Sequence, residues 1–108
     1  MKKLIYTVPE SHLESTKVAL FGAGAGKLGD YEHCCWQVLG QGQFKPSVNA
    51  NPFIGQLGEV TQLPEYRVEV ICDDKSLAPA LTALREAHPY EEPAIDIVQL
   101  INPQDLGI

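Results

Sequence analysis

The sequence predicts an α+β sandwich, with a four-stranded antiparallel sheet carrying two helices on one face. Three observations predict it. The chain reads strand–helix–strand twice, in two halves of similar shape. Right-handed crossovers then place both helices on the same side of the sheet. At 108 residues there is enough chain for one core and not for two, so a single domain over 1–108 is expected.

The first strand is Lys3 to Val8, where Ile5, Tyr6 and Val8 favour a pleated surface, and Pro9-Glu10 ends it. Ser11-x-x-Glu14 has the form of a capping box and opens a helix running to about Gly22. The inward stripe of that helix is Leu13, Thr16, Leu20 and Ala23, with Val18 and Phe21 on its flanks. Four glycines between Gly22 and Gly29 close it. Cys34 to Leu39 is the second strand, centred on Trp36 and Val38. Residues 40–57, rich in glycine and proline, form a long excursion, read as an extended hairpin arm.

Pro64 to Asp73 is the clearest strand, since Val68, Val70 and Cys72 alternate with Arg67 and Glu69. Asp73-Asp74 offers an N-cap for the second helix, where two acids suit the positive end of the dipole. Leu77, Ala80, Leu81, Leu84 and Ala87 give its apolar stripe, and Pro79 is tolerated only in its first turn. Pro89 stops it, because proline disfavours helical geometry at His88. Ala94 to Ile101 supplies the last strand, and Asn102 to Ile108 has no periodicity, as expected of a loose tail or one draped over a neighbour. The order βαββαβ is the ferredoxin-like plan. It leaves one sheet face uncovered, and apolar residues on both faces of the strands predict self-association there.

Composition narrows the function classes. The net charge of −6 argues against nucleic acid as a partner, since backbone binding needs clustered Lys and Arg, and against anionic membranes. No apolar run approaches the length of a membrane span. The short Leu4-Ile5-Tyr6 run after Lys2 and Lys3 does not make a signal peptide, and three cysteines without a C-x-x-C fit reduced thiols; a cytoplasmic protein is expected.

Three constellations could carry chemistry. Gly24-x-Gly26-x-x-Gly29 matches the dinucleotide fingerprint in form, yet it closes a helix where that motif should open one. It reads first as a helix cap and turn, and second as an anion nest of glycine N–H groups with Lys27. His33-Cys34-Cys35 offers nitrogen and sulfur ligands, of which His33 and Cys35 could point the same way, with His88 as a third. The alternative is that the thiols are small core residues. His88-Pro-Tyr-Glu-Glu-Pro93 packs an imidazole, a phenol and two carboxylates between helix and strand. It reads as a ligand site or as an architectural turn.

Gly22-Ala-Gly-Ala-Gly-Lys-Leu-Gly-Asp-Tyr31, Gly40-Gln-Gly-Gln-Phe44-x-Pro46, Pro52-x-Ile54-Gly55 and His88-Pro-Tyr-Glu-Glu-Pro-Ala-x-Asp96 together resemble the domain inserted in the YqfO group of dinuclear-metal YbgI/YqfO-type proteins, here as a stand-alone copy. That domain is similar in fold to CutA cation-tolerance proteins and more distantly to PII signalling proteins. The resemblance implies a CutA/PII-like core and a trimeric habit. The host's histidine-rich metal motifs are absent from this sequence, so its dinuclear site does not carry over.

The expectation is a non-catalytic regulatory or sensing homo-trimer that binds a small ligand or a divalent metal ion at subunit junctions. Gly24, Gly26, Lys27, Tyr31, Tyr90, Glu91 and Glu92 are the candidate ligand contacts, and His33, Cys35 and His88 the candidate metal ligands. A protein–protein interaction module is the alternative, and a metal-assisted hydrolase the third reading.

Overall fold

The computed structural model describes residues 1–108 and has the order β1(Lys2–Val8), α1(Leu13–Gly22), β2(Trp36–Phe44), β3(Thr61–Cys72), α2(Leu77–Ala87), β4(Ile95–Gln99). The four strands form one sheet in the order β2-β3-β1-β4. Every neighbouring pair is antiparallel. This is the ferredoxin-like α+β sandwich that the two strand–helix–strand halves predict.

Register decides the faces. Leu4 lies opposite Val70 and Tyr6 opposite Val68, and these four residues are fully buried beneath the helices. Leu13, Thr16 and Leu20 of α1 and Ala80 and Leu84 of α2 close over them. Each large apolar side chain buried this way contributes about 1.5–3 kcal/mol. The core holds one deliberate polar pair. Thr16 Oγ1 donates to the His12 carbonyl at 2.8 Å and receives the Tyr6 hydroxyl at 3.0 Å. Burial pushes the Tyr6 phenol up to about 12, so it stays protonated.

The opposite face is mixed in character. Register places Lys3, Ile5, Arg67, Glu69, Ile71, Trp36, Val38, Asp96 and Val98 there. Lys3 and Arg67 both reach Glu69, at 3.3 and 3.4 Å. The uniformly apolar face that the strand composition suggested is therefore interrupted by an ionic strip along its middle. Trp36 and Val38 remain exposed at one edge.

Three local expectations are corrected. The capping box does not form: Pro9 leads into a 3-10 turn, Glu10–His12, before α1. Ser11 therefore lies inside a turn, where its hydroxyl bonds to His12 Nδ1 at 2.8 Å. Asp73 caps as expected, receiving the Ser76 N–H at 3.1 Å, but the turn it caps is a 3-10 turn, Asp74–Ser76, ahead of α2. Asp74 instead binds the Lys2 ammonium at 2.9 Å. The tail adopts a 3-10 turn, Pro103–Leu106, capped by Asn102.

The excursion after residue 40 is indeed a hairpin arm. β2 runs five residues past Leu39, and Phe44 pairs with Thr61 at the far end. The arm gives the molecule a long axis of 52 Å against 25 and 22 Å across. The loop 45–60 folds back from its tip.

Candidate functional site

The candidate site grows from the end of α2. Pro89 forces His88 out of the helix into extended backbone, ψ 134°. That geometry turns the imidazole inward, where it is buried. Tyr90 N–H donates to His88 Nδ1 at 3.2 Å, so Nδ1 carries no proton. The proton is on Nε2, which donates to the Thr7 carbonyl at 2.8 Å. Burial lowers the His88 pKa against the pull of that carbonyl and of Glu65. His88 is thus a neutral imidazole that pins the α2–β4 connection to β1.

Pinned in this way, Tyr90 reaches across to β3. Its hydroxyl donates to Glu65 Oε2 at 2.8 Å. Burial, and then the Glu65 carboxylate, hold the phenol protonated far above its usual range. Glu65 is only 8% exposed, although it carries a carboxylate. Space for it comes from Gly42 on β2, where any Cβ would overlap Glu65 Oε1. A glycine in a strand interior weakens the strand, and close approach of a neighbouring group is the usual reason for one.

The loop 45–60 roofs this ensemble. Glu91 Oε1 accepts the Asn51 N–H at 2.8 Å. Phe44 and Phe53 lie 6.0 and 6.5 Å from the Tyr90 ring, and Phe53 also meets His12 edge-on at 5.4 Å. Between roof and sheet is a cleft of about 430 Å³, within the size range of small-molecule sites. Glu65, Tyr90, Glu91, Glu92, Lys45 and the two phenylalanines are on its walls.

Tyr90, Glu91 and Glu92 all line this cleft. The other candidates lie elsewhere. Gly26 N–H bonds to the Ile71 carbonyl at 2.7 Å, six residues along β3 from Glu65 and so about 20 Å from the cleft. Gly24 N–H is taken by the Phe21 carbonyl at 3.1 Å. Within the chain the Gly24 donor closes the end of α1 and the Gly26 donor ties the following loop to β3. Gly26 is glycine because its φ is +80° and a Cβ would press on the Phe21 ring at 2.8 Å. Lys27 and Tyr31 are exposed on the same loop. Lys27 adds, after the Ser76 hydrogen bonds and Lys75, to holding the Asp73 carboxyl low.

The metal candidates are dispersed. His33, at φ 57°, stacks flat on Phe21 with 4.8 Å between ring centroids. Cys35 is exposed, and both ring nitrogens of His88 are engaged within the chain. No group of three or more His, Cys, Asp or Glu side chains is placed to hold a metal ion. His33, Cys35 and His88 do not form one ligand set within a chain. No helix is long and apolar enough to cross a membrane.

Glu65 and Gly42 are the contributors that sequence reasoning missed. A carboxylate in a strand two residues before Arg67, facing a glycine on the partner strand, was the available signal, and it required the register to read.

Comparison first defines a class. CutA proteins share the whole architecture: the PII-like protein CutA from Nostoc sp. PCC 7120 superposes with a TM-score of 0.68 over 96% of this chain and 85% of its own, at 16% identity. The periplasmic divalent cation tolerance protein CutA from Archaeoglobus fulgidus does so with a TM-score of 0.66 over 94% and 86%, at 17% identity. At such identities the likeness establishes the CutA/PII-like fold.

A particular set of proteins is similar in sequence as well. A Bacillus cereus protein related to NIF3 matches with a TM-score of 0.81 and 36% identity, over 94% of this chain and 26% of its own. GTP cyclohydrolase 1 type 2 homologs from Mycobacterium tuberculosis and Bacillus subtilis are 47% and 41% identical over 103 and 97 residues. Those alignments take in 95% and 90% of this chain. The chain spans only 27% and 26% of the length of these two relatives, so it is homologous to one segment of them. No protein-family profile matches the sequence.

Proposed function

We propose that residues 1–108 form a single non-catalytic regulatory or sensing domain that binds a small ligand in the cleft beneath loop 45–60 and works as a homo-oligomer. The cleft carries this reading. A buried carboxylate, a phenol locked to it and two phenylalanines surround about 430 Å³ at the end of the sheet. A purely architectural turn would have no need to hold Glu65 out of water, since a buried carboxylate is costly unless it is used or well paired. The edge of the open sheet face, with Trp36 and Val38 exposed, supports self-association. The trimer remains the expected state from the CutA resemblance. A divalent ion, were it the ligand, would need its coordination completed across a subunit junction, because no three ligating side chains meet within one chain.

An interaction module is the second reading, favoured by one observation: the homologous segment is about a quarter of longer relatives. Its surface would then dock another part of such a protein. A metal-assisted hydrolase stands third. The cyclohydrolase name belongs to the longer relatives, and the dispersal of His33, Cys35 and His88 gives it no support in this chain.

Native mass spectrometry of protein purified without chelator tests the reading. The expected result is an oligomer carrying a stoichiometric small-molecule mass that is lost in Gly42→Ala. A monomer free of added mass, alongside a captured protein of fixed stoichiometry, would favour the interaction module instead.

A further inference from the structure

We infer that the ligand of the cleft is an organic cation, an alkylammonium or guanidinium group, received by Glu65 and the rings of Phe44, Phe53 and Tyr90. This rests on the small-ligand reading above and specifies its chemistry. Charge gives the first argument: the walls carry three carboxylates, Glu65, Glu91 and Glu92, against one ammonium, Lys45. Glu65 gives the second. It is more than nine-tenths buried and lines the cleft, and its only hydrogen-bond partner is the Tyr90 hydroxyl on Oε2. Oε1 receives no donor from the chain, yet it is not a sealed, unsatisfied atom. Oε1 lies over Gly42, and Glu65, as a residue of the cleft wall, keeps acceptor capacity that Tyr90 alone does not fill. Tyr90 cannot compete for a cation by ionising, because burial and Glu65 keep its proton in place.

The rings give the third argument. Phe44 and Phe53 flank Tyr90 at 6.0 and 6.5 Å, so three aromatic rings border the cleft that Glu65 lines. Aromatic faces attract cations, and desolvation strengthens that attraction. A bare metal ion is the poorer fit, since the cleft carboxylates do not gather into a ligating group of three and the walls are half aromatic or aliphatic. An anion would face the carboxylates with a single lysine.

Backbone amide NMR titration of the full chain decides it. The probes are tetramethylammonium and methylguanidinium, with tert-butanol as a neutral counterpart, inorganic phosphate as an anion, and zinc and magnesium ions. The expected result is that both organic cations shift the amides of Glu65, Tyr90 and Asn51, and tert-butanol does not. Glu65→Gln should weaken the response at least tenfold with the spectrum otherwise preserved. Should that variant fold poorly, Phe53→Leu, at a half-exposed ring, should weaken tetramethylammonium severalfold. Equal responses to tert-butanol, or undiminished binding in Glu65→Gln or Phe53→Leu, would overturn the cation while leaving a small-ligand cleft. Responses confined to phosphate or metal ions would do the same. Silence from every probe at these amides would overturn both.

Discussion

The two helices leave the sheet in opposite ways. α1 ends on glycines, and its last carbonyls are met by backbone: Ala23 N–H reaches Ala19 and Leu20, and Gly24 N–H reaches Phe21. α2 ends on a proline, which removes a donor and leaves the connection to be organised by side chains. His88 binds Thr7, Tyr90 binds Glu65, and Glu91 binds Asn51 of the arm loop. A backbone-closed exit satisfies its own carbonyls. A side-chain-closed exit assembles ionisable groups from three parts of the chain and encloses a space. The glycine run closes largely on itself, whereas the proline run borders the cleft.

This contrast can be broken at either exit. His88→Ala should do most damage, destabilising by about 2–4 kcal/mol, since it removes a buried ring and strands the Thr7 carbonyl. Urea denaturation would show it, and a loss under 1 kcal/mol would mean that the imidazole does not pin the connection. Gly42→Ala should cost about 1–3 kcal/mol by forcing Glu65 aside. The Tyr90 phenol should then titrate nearer its ordinary range in ultraviolet absorbance, whereas an unchanged titration would place Glu65 elsewhere.

Gly26→Ala tests the other exit. A side chain at φ +80° should cost about 1–2 kcal/mol and leave cleft amides unmoved in NMR spectra, because the two exits are independent. Glu91→Ala should change stability by less than about 1 kcal/mol, as an exposed contact does. It should nevertheless speed hydrogen exchange at Asn51, and unchanged exchange would show that the loop is held by Phe53 alone.

The pH dependence sharpens the same comparison. The His88 pKa in the folded protein lies below the ordinary 6.5. Just below that value the unfolded chain binds more protons, so stability is full above about 6.5 and falls as pH drops toward the folded value. His88→Gln should remove that slope. Asp73 and Asp74, both held low, contribute a separate loss that begins only as pH falls toward the ordinary 3.8.

Much of this fold was legible in order along the chain. Val68, Val70 and Cys72 alternate, and all three are buried; Leu13, Thr16 and Leu20 recur at helical spacing and face the core. Such periodicities are local, so sequence by itself determined the elements, their order, the stop at Pro89 and the sandwich that follows from right-handed crossovers. Tyr90, Glu91 and Glu92 were visible as candidates for the same reason, being adjacent in the chain. Glu65 and Gly42 were not, because a carboxylate over a glycine exists only once two strands are in register. Nor could spacing show that the donors of Gly24 and Gly26 are taken by Phe21 and Ile71, or that His33 leans on Phe21. The tertiary structure decided which polar groups are consumed by the chain and which are left facing open space, because hydrogen-bond partners distant in sequence become neighbours only when the sheet is assembled.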